Sequence, residues 1–271
     1  ENILRILREW MQKFHITGYD EASGKGLIRH LMIRKGYSTG EIGICLVLAC
    51  PHVQGNAWKK VLPHGPELIG RLTEVLPQIT SICLNANPKK TNVIFGEELA
   101  VIYGWAYITD TISAAGRSIS FHISPLSFYQ VNPHQMVRLY ETALEFAGLD
   151  GKETVWDLYC GTGTISLFLA GKAGMVYGVE IVPEAVRNAW ENAELNGIRN
   201  VDFQTGAAGE LAPALPQPDV IVVDPPRKGC DEKLLETILT YQPERIVYVS
   251  CDPATLARDL KILCSGGYRL A

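Results

Sequence analysis

The 271-residue chain has no run of 18 or more apolar residues, so no transmembrane helix is expected. Its opening stretch, ENILRILREWMQKF, carries both charge signs. It lacks the basic start, apolar centre and small-residue cleavage site of a secretory signal. Met does not stand first, which fits a fragment or a processed form. The seven cysteines, Cys45, Cys50, Cys83, Cys160, Cys230, Cys251 and Cys264, include no CxxC pair. Their odd number and irregular spacing suggest neither a disulfide framework nor a zinc site, and a reducing, cytoplasmic setting is expected. Basic residues are not in excess: net charge is -4 and pI about 5.9. Bulk charge therefore excludes a strong general affinity for nucleic acid; such binding would need a local basic face. Of the four basic pairs, Arg34-Lys35, Lys59-Lys60 and Lys89-Lys90 read as solvated surface, and Arg227-Lys228 stands apart. Repeats and low-complexity segments are missing.

What is present is ordinary for a folded globular chain: 47% apolar and 20% charged residues. Two halves differ in texture. Residues 1–123 open with a helix whose stripe is Ile3, Leu4, Ile6, Leu7, Trp10 and Met11. GLIRHLMIRKG and TGEIGICLVLA then read as strands joined by a Gly36–Gly40 hairpin loop, Pro66 to Leu76 as a short helix, and TSICLNAN, EELAVIYG, AYITDTI and RSISFHIS as further strands. An α+β domain with an antiparallel sheet is expected. Residues 124–271 alternate strands and helices. The strands are TVWDLY, MVYGVE, VDFQT, DVIVVD and RIVYVS, and helices fall near 133–146, 163–171, 183–196, 231–240 and 253–263. This pattern implies α/β architecture with a parallel, doubly wound sheet.

Ligands of such sheets bind beyond the carboxyl ends of the strands. The residues there are the Asp157–Gly163 loop, Glu180, Ala207, Asp224 and Cys251. In DLYCGTG, Gly161 and Gly163 permit a tight turn and close backbone approach. A bare GxG says little, but Glu180 ends the next strand, where a carboxylate suits the two hydroxyls of a ribose. In DPPRKG the two prolines hold the backbone extended and remove two donors, which fixes Asp224 at the rim. Arg227 reads equally as a loop charge or a phosphate contact. SFYQVNP combines aromatic faces with amides, yet a helix lead-in capped by Asn132 explains it as well. VSCDPATLARD leaves Cys251 either a packed strand-end cysteine or a nucleophile; its place at the end of the fifth strand, ahead of a helix, favours the second. The start of that helix offers positive potential to a thiolate, and Arg258 is a candidate to add to it.

Taken in order, FYQVNP, DLYCGTG, VYGVE, DPPRKG and VSCDPATLARD resemble the RNA uracil-C5 methyltransferase family, which includes 23S rRNA and tRNA enzymes making 5-methyluridine. The match covers most of residues 121–270, and GLIRHLMIRKG and NANPKKTN are similar to that family's central domain. The resemblance implies a class I, Rossmann-like methyltransferase domain, incomplete at its C-terminus, preceded by the smaller α+β domain. It implies S-adenosyl-L-methionine as cofactor and a flipped uridine in RNA, 23S rRNA ahead of tRNA, as acceptor. By similarity Gln130, Tyr159, Glu180 and Asp224 line the methyl-donor site and Cys251 is the nucleophile.

Three departures bear on these expectations. The family's N-terminal barrel and iron-sulfur cysteines have no counterpart here, so no iron-sulfur cluster and no other metal is expected in this chain. The family's general base, a Glu in a His-Val-Glu-like stretch, is also without counterpart, so turnover is expected to stall with RNA trapped as a C6-thioether adduct. Ala207 stands where relatives carry an adenine-binding side chain, which points to weaker cofactor affinity. Two alternatives stay open: a module that binds cofactor and RNA without turnover, and a generic small-molecule methyltransferase, which would have no use for the Cys251 thiol.

Overall fold

A computed structural model describes residues 1–271. The chain forms two compact units, Glu1–Thr111 with His122–Leu126, and Ile112–Phe121 with Ser127–Ala271. In the first, α1 (Asn2–Lys13) buries Ile3, Ile6, Leu7 and Trp10, the i, i+3, i+4, i+7 stripe of an amphipathic helix. Leu4, which borders that stripe, is 46% exposed. α3 (Gly65–Val75) adds Leu68 and Leu72 to the same core. The Trp10 indole donates to the His64 carbonyl at 3.0 Å.

These helices cover one face of a four-stranded sheet of β1 (Ile28–Lys35), β2 (Ile42–Leu48), β3 (Ile79–Ala86) and β4 (Glu98–Gly104), in that order. β1 and β2 form the expected antiparallel hairpin, and β3 and β4 are antiparallel too. The expectation of a wholly antiparallel sheet needs correction, because β2 and β3 run parallel. The reason lies between them: α2 (Ala57–Val61) and α3 carry the chain back across the sheet, and such a crossover returns a strand in the same direction. The buried Arg29 guanidinium ties β1 to the loop after β3, donating to Asn87 O at 3.0 Å and Lys89 O at 2.7 Å. Arg34 is half-buried rather than solvated. A two-stranded hairpin of β5 (Ile108–Ala114) and β6 (Arg117–Ile123) follows, its Ile112–Phe121 part belonging to the second unit. It turns through Ala115 and Gly116, both at positive φ, the geometry that matches strand twist.

In the second unit, β7 (Thr154–Leu158), β8 (Met175–Glu180), β9 (Val201–Thr205), β10 (Val220–Val223) and β11 (Arg245–Tyr248) form one sheet in the order β11-β10-β7-β8-β9. Every pair is parallel, as the alternating pattern implied. α4 (Pro133–Ala147) starts at Asn132, whose side chain accepts from Gln135 N. α5 (Thr164–Leu169), α6 (Pro183–Leu195), the short α7 (Ala208–Leu211), α8 (Glu232–Tyr241) and α9 (Pro253–Ser265) follow the strands. Trp156, Leu158, Ile221 and Val223 pack with α8 residues Leu234, Leu235 and Ile238 on one face. α4 and α5 pack together and onto the strands. The chain runs outward from β7 through β8 and β9, then restarts on the other side at β10. The crevice between β7 and β10 is thus the switch point where such sheets take ligands.

Replacing fully buried Trp10 by Ala is expected to cost the first unit about 3–5 kcal/mol. Leu4→Ala is expected to stay within about 0.5 kcal/mol. Urea unfolding followed by circular dichroism compares the two.

Candidate functional site

The site is built from the loop after β7. Asp157 is 1% exposed. Its Oδ2 accepts from Ser166 Oγ of α5 at 2.5 Å, while Oδ1 is buried without a partner. Burial pushes its carboxyl up to about 7; the Ser166 bond opposes this, and the charges of Asp224 and Glu180 add to it. The next two backbone N–H groups, of Tyr159 and Cys160, both donate to Val179 O, at 2.9 and 3.1 Å. Tyr159 holds φ at +72°, a left-handed conformation that costs a side-chain residue about 1–3 kcal/mol. Its ring packs with the α8 core, and its hydroxyl, pushed up by burial, lies beside Cys230 and Asp231.

The two glycines do different jobs. Gly163, at φ +79°, sits so that a Cβ would meet Phe203 and Ala189 at 3.0 and 3.1 Å; it permits packing. Gly161, at φ +55°, would meet nothing within 4 Å, so its face is open to an incoming molecule. Gly161 N donates to Glu180 Oε2 at 3.2 Å and Val182 N to Oε1 at 2.9 Å. Each carboxylate oxygen is thereby oriented by one donor and keeps acceptor capacity for another. Ile181 and Val182, 65% and 49% exposed, hold apolar surface beside it.

Across the switch point, Asp224 N donates to Leu158 O at 3.4 Å, and burial raises the half-buried Asp224 carboxyl. Tyr140 of α4 is buried within electrostatic reach of both Asp157 and Asp224, and burial pushes its hydroxyl up to about 12. Gln130 is half-buried. It lies between Ser127, whose Oγ accepts from Asn188 Nδ2 of α6 at 3.0 Å, and the Asn132 cap of α4. Its neighbours Phe128 and Val131 are 74% and 97% exposed.

Cys251 is exposed. It sits in a tight turn between Ser250, whose Oγ donates to Asp252 O and accepts from Asp252 N, and Asp252, which caps α9 through Ala254 N at 2.9 Å and Thr255 N at 3.0 Å. Tyr248 pairs with Val223 and Val223 with Leu158, so Cys251 and Asp224 leave adjacent strands at one edge. Thr255 Oγ1 donates to Arg227 O at 3.0 Å, joining the Cys251 turn to the loop after Asp224. Arg258 does not face the thiol, correcting the expectation from helical position. Its Nε donates to Asp259 at 2.7 Å and its Nη2 to Lys228 O at 2.9 Å, because the buried carboxylate next to it outcompetes solvent.

Of the residues singled out from sequence, the fold thus groups Glu180, Asp224 and Cys251 along one rim. It places Gln130 in the segment between α6 and α4, and turns the Tyr159 ring toward α8. Beyond the Asp157–Gly163 loop, the fold brings to this region Ser166, Tyr140 and the Ile181-Val182 pair, which the sequence did not single out. The signal for the pair was available: two apolar residues directly after an acidic strand end and before a helix-starting proline. For Tyr140 there was none, since it is one apolar position on a helix.

The raised Asp157 carboxyl carries a pH signature. Between an ordinary carboxylate value of about 3.9 and its own value of about 7, the folded chain holds a proton that the unfolded chain has released. Stability therefore falls as pH rises through that window and is level above it. Asp157→Asn is expected to remove roughly 2–4 kcal/mol of this pH dependence. Urea midpoints of both proteins at pH 5 and pH 8 measure it.

Residues 149–266 match a family model described as a methyltransferase domain. An uncharacterized RNA methyltransferase of Halalkalibacterium halodurans is 52% identical over 99% of this chain and 57% of its own length. One of Clostridium tetani is 50% identical over 99% of this chain and 56% of its own. The chain spans a little over half the length of these relatives. Among solved structures, the tRNA (uracil-54, C5)-methyltransferase of Pyrococcus abyssi, in complex with S-adenosyl-L-homocysteine, superimposes with a TM-score of 0.75 at 26% identity. That match covers 96% of this chain and 59% of the other. With a class I methyltransferase sheet in its second unit and half-identical relatives along nearly its whole length, the chain is similar to RNA methyltransferases.

Proposed function

We propose that this chain methylates C5 of a uracil in RNA, with S-adenosylmethionine as donor and Cys251 as nucleophile. The observation that carries the reading is the exposed Cys251 thiol on the same strand-end rim as Asp224, the open face of Gly161 and Glu180. The residues fit the donor. Glu180, with both oxygens oriented by backbone N–H groups, has acceptor capacity left for a ribose diol. Gly161 leaves room for close approach, and Ile181 and Val182 offer apolar contact to a planar base. Asp224, at the switch point, faces the crevice from β10. Gln130 and Tyr159 are assigned by resemblance, Tyr159 through its backbone because its ring packs elsewhere. Bound there, the cofactor supplies an electrophilic methyl group.

C5 of uracil is too electron-poor to take that group unaided. Addition of the Cys251 thiolate at C6 moves the ring π-electrons toward C5 and O4, so that C5 becomes nucleophilic. After C5 has gained the methyl group, transfer of its proton to water, the acceptor left when no side chain is assigned as general base, returns the electron pair to the ring, reforms the C5–C6 double bond and expels the thiolate. The base must leave its stack to be reached in this way, and Arg227, exposed on the adjoining loop, is available to a phosphate. The Pyrococcus relative acts on tRNA; the resemblance of the first half of the chain to a central domain of rRNA enzymes makes 23S rRNA the first substrate to try.

RNA carrying 5-fluorouridine tests the mechanism, because fluorine cannot leave C5 as a proton does and the C6 thioether persists. A slow-migrating, methyl-donor-dependent band on a denaturing gel is expected with 23S rRNA fragments and is to be compared with tRNA. Cys251→Ala is expected to abolish it. Glu180→Ala is expected to weaken S-adenosylhomocysteine binding, measured by calorimetry, by about 10- to 100-fold. Cofactor binding with no adduct on any uridine-containing RNA would overturn the uracil-C5 assignment.

A further inference from the structure

We propose that Asp259 is a positioning residue that fixes the Cys251 turn against the loop carrying Asp224. The proposal rests on the assignment of Cys251 as nucleophile. Asp259 lies in α9 and is 0% exposed, a position where a carboxylate is costly unless it is paired and hydrogen-bonded. Here three donors converge on it. Oδ2 accepts from Cys230 N at 2.8 Å and from Tyr248 Oη at 2.6 Å, and Oδ1 accepts from Arg258 Nε at 2.7 Å. Each donor belongs to a different part of the site. Cys230 ends the loop that leaves Asp224, Tyr248 is the last residue of β11 before the Cys251 turn, and Arg258 belongs to the helix that the turn opens. One buried carboxylate thus joins both arms of the rim.

Its neighbours tighten the joint. Arg258 Nη2 donates to Lys228 O and Cys230 O, at 2.9 and 3.2 Å, and Cys230 Sγ contacts Tyr248 Oη at 3.6 Å. Gly229, at φ +78°, closes onto the group: a Cβ there would lie 2.5 Å from Arg258 Nη2 and 2.6 Å from Asp259 Oδ2. The loop needs such anchorage, since Pro225 and Pro226 have removed two of its donors. Well-packed apolar side chains would serve stability about as well as a buried ionic group. What directional bonds to three segments add is a fixed relation between them, and a thiol misplaced by about 1 Å can lose 100-fold in rate.

Asp259→Asn keeps the shape but turns an acceptor into a donor facing donors. It is expected to slow adduct formation on 5-fluorouridine RNA about tenfold or more, with dissociation constants for S-adenosylhomocysteine and RNA within twofold. Gly229→Ala, which leaves the carboxylate in place, is expected to act in the same direction, and Tyr248→Phe, which removes one bond, more weakly. Hydrogen exchange of Asp259→Asn is expected to show residues 227–231 and 250–256 losing protection together while β8 and β9 keep theirs. An unchanged adduct rate, or one that falls only in parallel with cofactor affinity, would refute the proposal. So would exchange that rises in α9 without the loop. If the unsubstituted protein forms no adduct, the uracil assignment fails instead, and the exchange comparison alone decides whether Asp259 couples the two arms.

Discussion

The hydrogen bond from Ser166 to the buried Asp157 carboxylate is the interaction around which the second unit is organised. It joins the end of β7 to α5 across the turn, and the turn has little freedom left. Tyr159 N and Cys160 N are both spent on Val179 O, which presses the loop against β8 and forces Tyr159 into a left-handed conformation. Gly161 N then has Glu180 as its partner. The orientation of Glu180 is therefore a consequence of how β7 ends. The strain at Tyr159 and the cost of burying Asp157 are sustained by a sheet whose central strands are inaccessible on both faces.

Three carboxyl groups meet at this rim: Asp157, Asp224 and Glu180. Burial raises the first two, and the charges of Asp224 and Glu180 raise Asp157 further. On the proposed function, such a site would favour a cationic cofactor over an anionic one. A pyrophosphate brought to it would add like charge, whereas a sulfonium relieves repulsion among the acids. The same reasoning explains how an acidic chain can be similar to a family acting on RNA. The acidic groups gather at the strand-end rim, and the cationic Arg227 and Lys228 are exposed on the neighbouring loop.

Much of this could be read from the residues. Strand ends carrying Asp157, Glu180, Asp224 and Cys251 appear in the sequence as polar residues closing apolar runs, and a parallel sheet brings every such end to one edge. The Asn132 cap and the Gly36–Gly40 hairpin are local features, legible for that reason. What escaped was decided at long range. The parallel pairing of β2 with β3 depends on where α2 and α3 return the chain, and the two strands look the same in either direction. Helical position makes Arg258 only a candidate to face the thiol, and its partners are its own neighbour and carbonyls of the preceding loop. Gly161 and Gly163 are indistinguishable as letters, and only the surroundings show that one faces open space and the other Phe203. Leu4 fitted the apolar stripe of α1 by composition and missed the core by its angle around the helix.

The same distinction bears on what prepares the Cys251 thiol. From sequence, the start of α9 offers positive potential. In the fold, the Asp252 carboxylate already accepts from Ala254 N and Thr255 N, and those bonds hold it below the ordinary aspartate range, with Arg227 adding a smaller Coulomb contribution. A helix start whose donors are occupied by an anion has little field left for a neighbouring thiolate. The Arg227 backbone is held beside the turn by the Thr255 bond to its carbonyl. On the proposed mechanism, nucleophilicity at Cys251 would be chiefly a matter of placement, set by the Ser250–Asp252 turn and the proposed Asp259 junction. An exposed thiol held on a rigid turn loses little entropy when a base arrives, and in covalent catalysis that pre-orientation can outweigh a modest gain in thiolate population.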